Sequence, residues 1–306
     1  MKMRQEVLQK RMVMTWKNCW KNGNRKMKEK MTMTMQSLIN IDGNGLKDVL
    51  IDLNDKLATA VGWIANKETP EKIAINTYIK EIQEKNYDPV TKAALISNAK
   101  KIIKGYYNQS NIVEIARSSL QNNADPQKLE DDWLARFMDK AQLVSSEEFQ
   151  WIWGKILARE CNEPGSIPPA LLYTLEKMDR EDAEAFTALC RISVSVEKDA
   201  SPIVIRERFA EYEELVGITF DKIVSLTALG LIETDLAAVS AGYKMEIDPL
   251  PNKIIYYDME KELKDKRDLQ VGNVLFTKAG QALYWAIDAE KVEGFWENYC
   301  IPFWEK

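Results

Sequence analysis

The chain contains no histidine. With imidazole absent, Ser-His-Asp and Cys-His catalysis, HNH and HD metal chemistry and every zinc site that needs a histidine ligand are excluded together. Cysteine is scarce. Cys19, Cys161, Cys190 and Cys300 lie far apart and form no CxxC pair, so they read as free thiols of a reducing cytoplasm. No run approaches the roughly 18 apolar residues of a membrane span, and the basic N-terminus is not followed by the apolar stretch of a signal peptide. Neither GxxxxGKS/T nor GxGxxG occurs, so no phosphate-cradling loop is announced. These absences lead to the expectation of a cytoplasmic protein with no membrane association, no cofactor and no resident metal.

What is present is ordinary globular material. The 306 residues, 45% apolar and 29% charged, suffice for two or three units with sizeable cores. The net charge of −5 hides an asymmetry. Residues 1–30 hold ten Lys/Arg against Glu6 and Glu29, a balance of +8, which leaves −13 for residues 31–306. A basic arm ahead of an acidic body is one form of nucleic-acid tether. Eight of the twelve methionines also fall within the first 35 residues, with Met31, Met33 and Met35 alternating with threonine. That favours the plainer reading of residues 1–35 as a disordered leader or an upstream extension of the reading frame.

From Leu46 to Ile64, apolar residues recur at three- and four-residue steps behind the Asp42-Gly43-Asn44-Gly45 turn, which predicts a helix with one buried stripe. Pro70 is expected at the first helical position of the next helix, and a further helix from about Thr91 to Tyr107 follows Pro89, continued by Asn111–Leu120. These elements make an N-terminal helical region, 36–121, ending at the polar Asn122–Gln127 connection. Between 128 and 193 the pattern predicts a compact four-helix bundle. Leu129, Trp133, Phe137 and Ala141 step by four. Ser145 with Glu148 forms an expected capping box, Pro164-Gly165-Ser166 stops that helix, Pro168-Pro169 opens the next, and Asp179 with Asp182 caps the last.

After Ser193 the period changes. Helical segments at Arg206–Leu215 and Thr219–Leu229 precede a Gly230-Leu231-Ile232 turn, and alternating segments follow at Tyr243–Ile247, Lys253–Tyr257 and Val274–Phe276. Thr277 then caps a last helix running through Ile287. Residues 194–290 thus read as a winged-helix-like unit, with an aromatic tail at 291–306. The expected fold is mainly α: a helical N-terminal region and central α-bundle, followed by a small winged-helix-like α+β unit.

One stretch carries a family signature. It reads Asp132-Trp133-Leu134, then Val144-Ser145 with Glu148 and Gln150, then Trp153-Gly154-Lys155-Ile156-Leu157-Ala158 with Glu160 and Pro164-Gly165-Ser166. Leu172, Leu175, Asp182-Ala183 and Phe186 complete it. In these residues the chain resembles the bacterial domain-of-unknown-function family 2806. Asn111-Ile112, Ile115-Ala116, Gly230-Leu231-Ile232 and Thr277-Lys278-Ala279-Gly280 extend the resemblance over residues 45–287. The chain departs at Ile167-Pro168-Pro169, where the family tends to carry a Phe-Ser pair ahead of a basic residue, which bears on any pocket needing that residue. The resemblance supplies no reaction and no catalytic residues. It implies a bacterial or prophage origin, and related architectures point to anti-phage gene sets.

Among chemical candidates, Trp133, Gln150, Trp153 and Glu160 are spaced either to line a pocket or, as tryptophans at helical steps more often do, to build core. A histidine-free carboxylate-metal nuclease is the alternative reading, with Asp248-Pro249 and Glu262-Leu263-Lys264 its best match. The Glu260–Asp268 stretch nevertheless reads as an exposed helix or loop. DNA binding by the winged helix is opposed by charge: residues 196–290 carry eleven Lys/Arg against eighteen Asp/Glu, and Thr219–Leu229 has only Lys222, offset by Asp221. The tail rings Phe295, Trp296, Tyr299, Phe303 and Trp304 either dock on the body or anchor a partner. The expectation is a non-catalytic protein-interaction module that contacts a protein partner or a second copy, plausibly in anti-phage defence or abortive infection. Nucleic acid is expected only through residues 1–30.

Overall fold

The computed structural model of the chain describes residues 44–65, 69–235, 242–246, 252–263 and 268–305. The basic leader, Cys19, Asp248, Pro249 and Lys264 lie outside the described residues. Helix starts follow local chemistry. Asp88 accepts hydrogen bonds from the Val90 and Thr91 amides at 2.9 and 3.1 Å, with Pro89 at the first helical position. Asp179 and Asp182 exchange a complete capping box, and Thr219 and Thr277 cap two later helices.

The helices in order are α1 (Asn44–Val61), α2 (Glu71–Glu84), α3 (Pro89–Arg117), α4 (Asp131–Ala141), α5 (Glu147–Asn162), α6 (Pro169–Lys177) and α7 (Arg180–Arg191). Next come β1 (Ser193–Val196), β2 (Asp199–Pro202), α8 (Phe209–Val216), α9 (Phe220–Ala228) and β3 (Ile232–Thr234). The chain continues through β4 (Tyr243–Glu246), β5 (Asn252–Tyr256), β6 (Met259–Leu263), β7 (Asp268–Gly272) and β8 (Val274–Phe276). It ends with α10 (Lys278–Tyr284), a π-helical turn at Trp296–Cys300 and α11 (Ile301–Trp304). The chain is mainly helical, with small antiparallel sheets in its C-terminal half, and no helix of the described residues is long and apolar enough to cross a membrane.

α2 and the first half of α3 form an antiparallel arm. The Lys92 ammonium donates to the Gln83 carbonyl near its tip, and the Tyr107 hydroxyl donates to the Thr69 carbonyl near its base. The second half of α3 enters the body and crosses α5. Around that crossing Trp133 stacks on Phe137 at 5.2 Å, and Phe137 meets Trp153 at 5.2 Å. The buried apolar side chains continue from there without a break. Phe186 of α7 meets Phe276 of β8 at 5.3 Å, which carries the core into the sheet region.

One sheet has the order β2-β1-β5-β6, with Ser193 opposite Pro202, Ser195 opposite Ile255 and Ile254 opposite Lys261. β3 pairs with β8 (Ile232 opposite Phe276), and β4 pairs with β7. Two hairpin tips hold non-glycine residues at positive φ, Glu197 at 53° and Tyr257 at 54°.

Several local expectations need correction. Pro70 caps α2 from outside rather than occupying its first turn. The Ser145–Glu148 capping box does not form: α5 begins at Glu147, so Glu148 sits one position too early to reach back, and it faces Arg180 instead at 3.7 Å. The β1–β2 hairpin occupies a stretch with no clean alternation, because all four β1 residues are buried. Met259–Leu263 is a strand, not an exposed helix or loop. Its exposure alternates, with Glu260 and Glu262 exposed, Met259 and Lys261 half-buried, and Leu263 buried. The helix capped by Thr277 stops at Tyr284, and the tail adds its own helical turns.

The α3–α5 crossing depends on Gly154. A Cβ there would stand 2.5 Å from Ile115 Cγ2, 2.6 Å from Ile115 Cβ and 3.0 Å from the Ile112 carbonyl oxygen. Gly154→Ala is therefore expected to destabilise the chain by about 1–3 kcal/mol through overpacking, despite alanine's better helix propensity. Urea unfolding of the two proteins measures it, and an unchanged or raised midpoint would contradict the crossing described.

Candidate functional site

The four signature residues are drawn together around α5, and three of them, Trp133, Gln150 and Glu160, hold a loop. Trp133 is buried, and its indole N–H donates to the Ile167 carbonyl at 3.1 Å. Glu160, 3% exposed, accepts from the Gly165 amide at 2.7 Å, the Ile167 amide at 2.7 Å and the Ser166 hydroxyl at 3.5 Å. Trp133 and Glu160 thus fasten the Pro164–Ile167 turn from two sides, with Gly165 supplying φ +84°. Burial outweighs these hydrogen bonds and holds the Glu160 carboxyl above its ordinary range.

Gln150 is the hub of a buried polar network between α3 and α5. Its Nε2 donates to the Val144 carbonyl at 2.9 Å and to Asn108 Oδ1 at 3.2 Å, while Asn111 Nδ2 donates to its Oε1 at 3.2 Å. Asn108 in turn donates to the Gln142 carbonyl at 2.8 Å. The α4–α5 loop is thereby tied to α3 by amides, which carry no charge to desolvate.

Trp153 forms part of the floor of a shallow groove of about 250 Å3 between that loop and α6. Leu143, Val144, Phe149, Leu175 and Met178 give it apolar walls, and the Lys140–Glu176 ion pair lies along its lining. Lys140 also sits 4.3 Å above the Tyr173 ring. The other three signature residues do not line this groove.

A second surface lies on α9. Ile223 and Leu226 face the core, while Phe220 and Val224 are 59% and 51% exposed, one helical turn apart. Asp221 is exposed beside them, and exposed Glu213 and Glu214 stand on α8 across the three-residue connection. The one cation of α9, Lys222, turns back to donate to the Gly217 carbonyl at 2.8 Å. This face is neither a metal site nor an anion site. Its chemistry is an apolar ridge with one exposed carboxylate, Asp221, beside it.

The tail rings lie against the body. Phe295 is fully buried 5.5 Å from Tyr256, Trp296 stacks on Tyr256 at 6.1 Å, and the Trp304 indole N–H donates to the Gln270 carbonyl at 2.9 Å. Arg208 lies 3.9 Å over the half-buried Tyr299, whose hydroxyl donates to Glu211 at 3.1 Å; Phe303 is also half-buried. Tyr256, its hydroxyl donating to the Arg191 carbonyl at 2.9 Å, is pushed up to about 12 by burial. Cys161, Cys190 and Cys300 are buried free thiols, and desolvation raises all three, away from nucleophilic thiolate. Among the described residues no group of three acids or cysteines is placed to hold a metal ion, and Glu262 is exposed on β6.

Sequence spacing located the signature but not its job, since a buried carboxylate serving backbone amides looks the same in a string as one in a pocket. The Phe220–Val224 ridge was missed. Its signal is an apolar pair four residues apart, with an acid beside it, on a helix whose opposite face already supplies the core.

A family described as "Protein of unknown function (DUF2806)" matches residues 98–299, about two thirds of the chain. The match takes in the signature and most of the tail, and leaves out α1, α2 and the start of α3. No curated protein and no solved structure matches the chain.

Because the Glu160 carboxyl is held above its ordinary range, the folded chain keeps a proton that the unfolded chain releases. Its contribution to stability is present in acid and lost as pH rises through the folded-state value. Urea midpoints taken between pH 4 and pH 7 should therefore move in favour of Glu160→Gln relative to wild type as pH rises. A difference independent of pH would show that the hydrogen bonds cancel burial, and one moving in favour of wild type that they outweigh it.

Proposed function

The chain belongs to the DUF2806 family, whose description assigns no reaction, and on that premise we propose that it is a non-catalytic protein-interaction module whose docking surface is the outer face of α9. The observation that carries this is the exposed Phe220–Val224 ridge, with Asp221 exposed beside it and the helix's single cation, Lys222, engaged with the Gly217 carbonyl. Aromatic and aliphatic anchors supply binding energy in protein contacts, whereas nucleic-acid contact needs cations directed at phosphate. A partner of matching chemistry is a cationic segment with an apolar stripe.

The unit that presents the ridge is best read as a modified winged helix. Two short helices joined by a tight turn (α8 and α9) lead into β3, which pairs with β8, and the connection between those strands holds β4–β7. The position a DNA-binding winged helix would give to its reading helix belongs here to α9. A role in anti-phage defence or abortive infection rests on the family resemblance alone, and would reach its target through this same face.

Affinity capture from the native host, with and without phage infection, tests the reading. Phe220→Ser/Val224→Ser should reduce recovery of a specific protein partner about tenfold or more. Its unfolding free energy in urea should stay within about 0.5 kcal/mol of wild type, since both side chains are at the surface. A partner recovered equally by both proteins, or tight retention of double-stranded DNA by the wild type in about 0.15 M salt, would overturn the assignment.

A further inference from the structure

α9 carries apolar residues enough for either of two buried faces. At about 100° per residue, Leu226, Ile223, Phe220 and Val224 fall on one continuous arc of about 160°. Thr227 is the one polar residue of the helix within that arc. Its hydroxyl donates to the Ile223 carbonyl of the same helix at 2.7 Å, so it tolerates either setting. Only half of the arc is used: Ile223 and Leu226 are buried, while Phe220 and Val224 are 59% and 51% exposed. Burial alone does not select that half, because a roll of roughly 60° would bring Phe220 inward beside Ile223 and turn Leu226 out. Resting on the docking surface proposed above, we infer that Asp182 and Ser225 are positioning residues for it: their hydrogen bond holds α9 at the rotation that keeps Phe220 and Val224 outward.

Ser225 lies outside the arc, one residue step beyond Leu226, and its hydroxyl donates to Asp182 Oδ1. The roll that buries Phe220 carries Ser225 away from the body and breaks this bond. Asp182 is buried and cannot follow. Its other carboxylate oxygen accepts from the Asp179 amide at 3.1 Å, and its own amide donates to Asp179 Oδ1 at 2.9 Å. Losing Ser225 therefore strands a buried acceptor that the start of α7 holds in place. The remaining polar ties do not sort the faces of α9. The Thr174 hydroxyl of α6 donates to the Leu229 carbonyl at 3.1 Å, which grips the backbone just past the end of α9. The Lys222–Gly217 bond stays within the α8–α9 turn and does not reach the bundle. The last acid of the signature thus serves two helices, capping α7 and orienting α9.

Hydroxyl-radical footprinting of the full chain, read residue by residue by mass spectrometry, tests this. Wild type should label Phe220 readily and Leu226 poorly. Ser225→Ala should lower labelling of Phe220 roughly threefold and raise that of Leu226. Ser225→Thr keeps the hydroxyl and should retain the wild-type pattern. Adding Asp182→Ala to Ser225→Ala should move the pattern no further, since the two residues act through one bond. The buried Phe295 reports on the core and should stay unlabelled in Ser225→Ala and Ser225→Thr alike. Ser225→Ala labelled like wild type, or Ser225→Thr labelled like Ser225→Ala, overturns the inference. In the host capture experiment Ser225→Ala should recover about threefold less partner. Partner lost without a change in labelling places Ser225 in the contact itself and overturns the positioning role. A changed footprint with the partner fully recovered leaves that role standing and removes the α9 face as the docking surface.

Discussion

Everything central in this structure follows from how closely α5 lies on α3. The backbones approach at Gly154, with Ile115 filling the space a side chain would need. Close approach brings Gln150, one turn before the glycine, within reach of Asn108 and Asn111, and places Trp153 against Phe137. Nearly two turns after it, Glu160 meets the turn that leads into α6. A larger residue at the crossing would lift α5 as a unit, so the polar network, the ring stack and the turn latch are parts of one arrangement. They explain why small, amide, aromatic and acidic residues occur together in one signature: each holds a part of the same crossing.

The electrostatics of the described residues are largely satisfied within the fold itself. Its buried acids are satisfied by backbone amides, its buried thiols are held protonated, and most cations of the described surface are paired with neighbouring carboxylates. The ridge on α9 stands apart as an exposed apolar pair with Asp221 beside it.

Much of the helical architecture was legible because it is written in local, short-range terms. Asp179–Asp182, Pro168-Pro169, Thr219 and Thr277 each mark a helix start through a bond or a fixed φ. The strands were harder. β1 is buried on both faces and so shows no alternation, and β6 hides its period in a run of charge. Pairings such as Ser195 with Ile255 join residues far apart in sequence, which no local pattern encodes. The signature residues were found by spacing, yet their role depended on which backbone amides came to face them, a property of the turn at Gly165 rather than of the helix itself.

The aromatic tail has a consequence for biogenesis. Tyr256 and the face of its sheet are covered by Phe295 and Trp296, and β7 is held by Trp304, so rings far along the chain complete a core that α7 and β1 begin. During synthesis these rings are made after the strands they cover, so Tyr256 waits uncovered until the chain beyond α10 reaches it. Loss of residues 291–305 would leave an open aromatic core, a substrate for proteases rather than a shortened working protein.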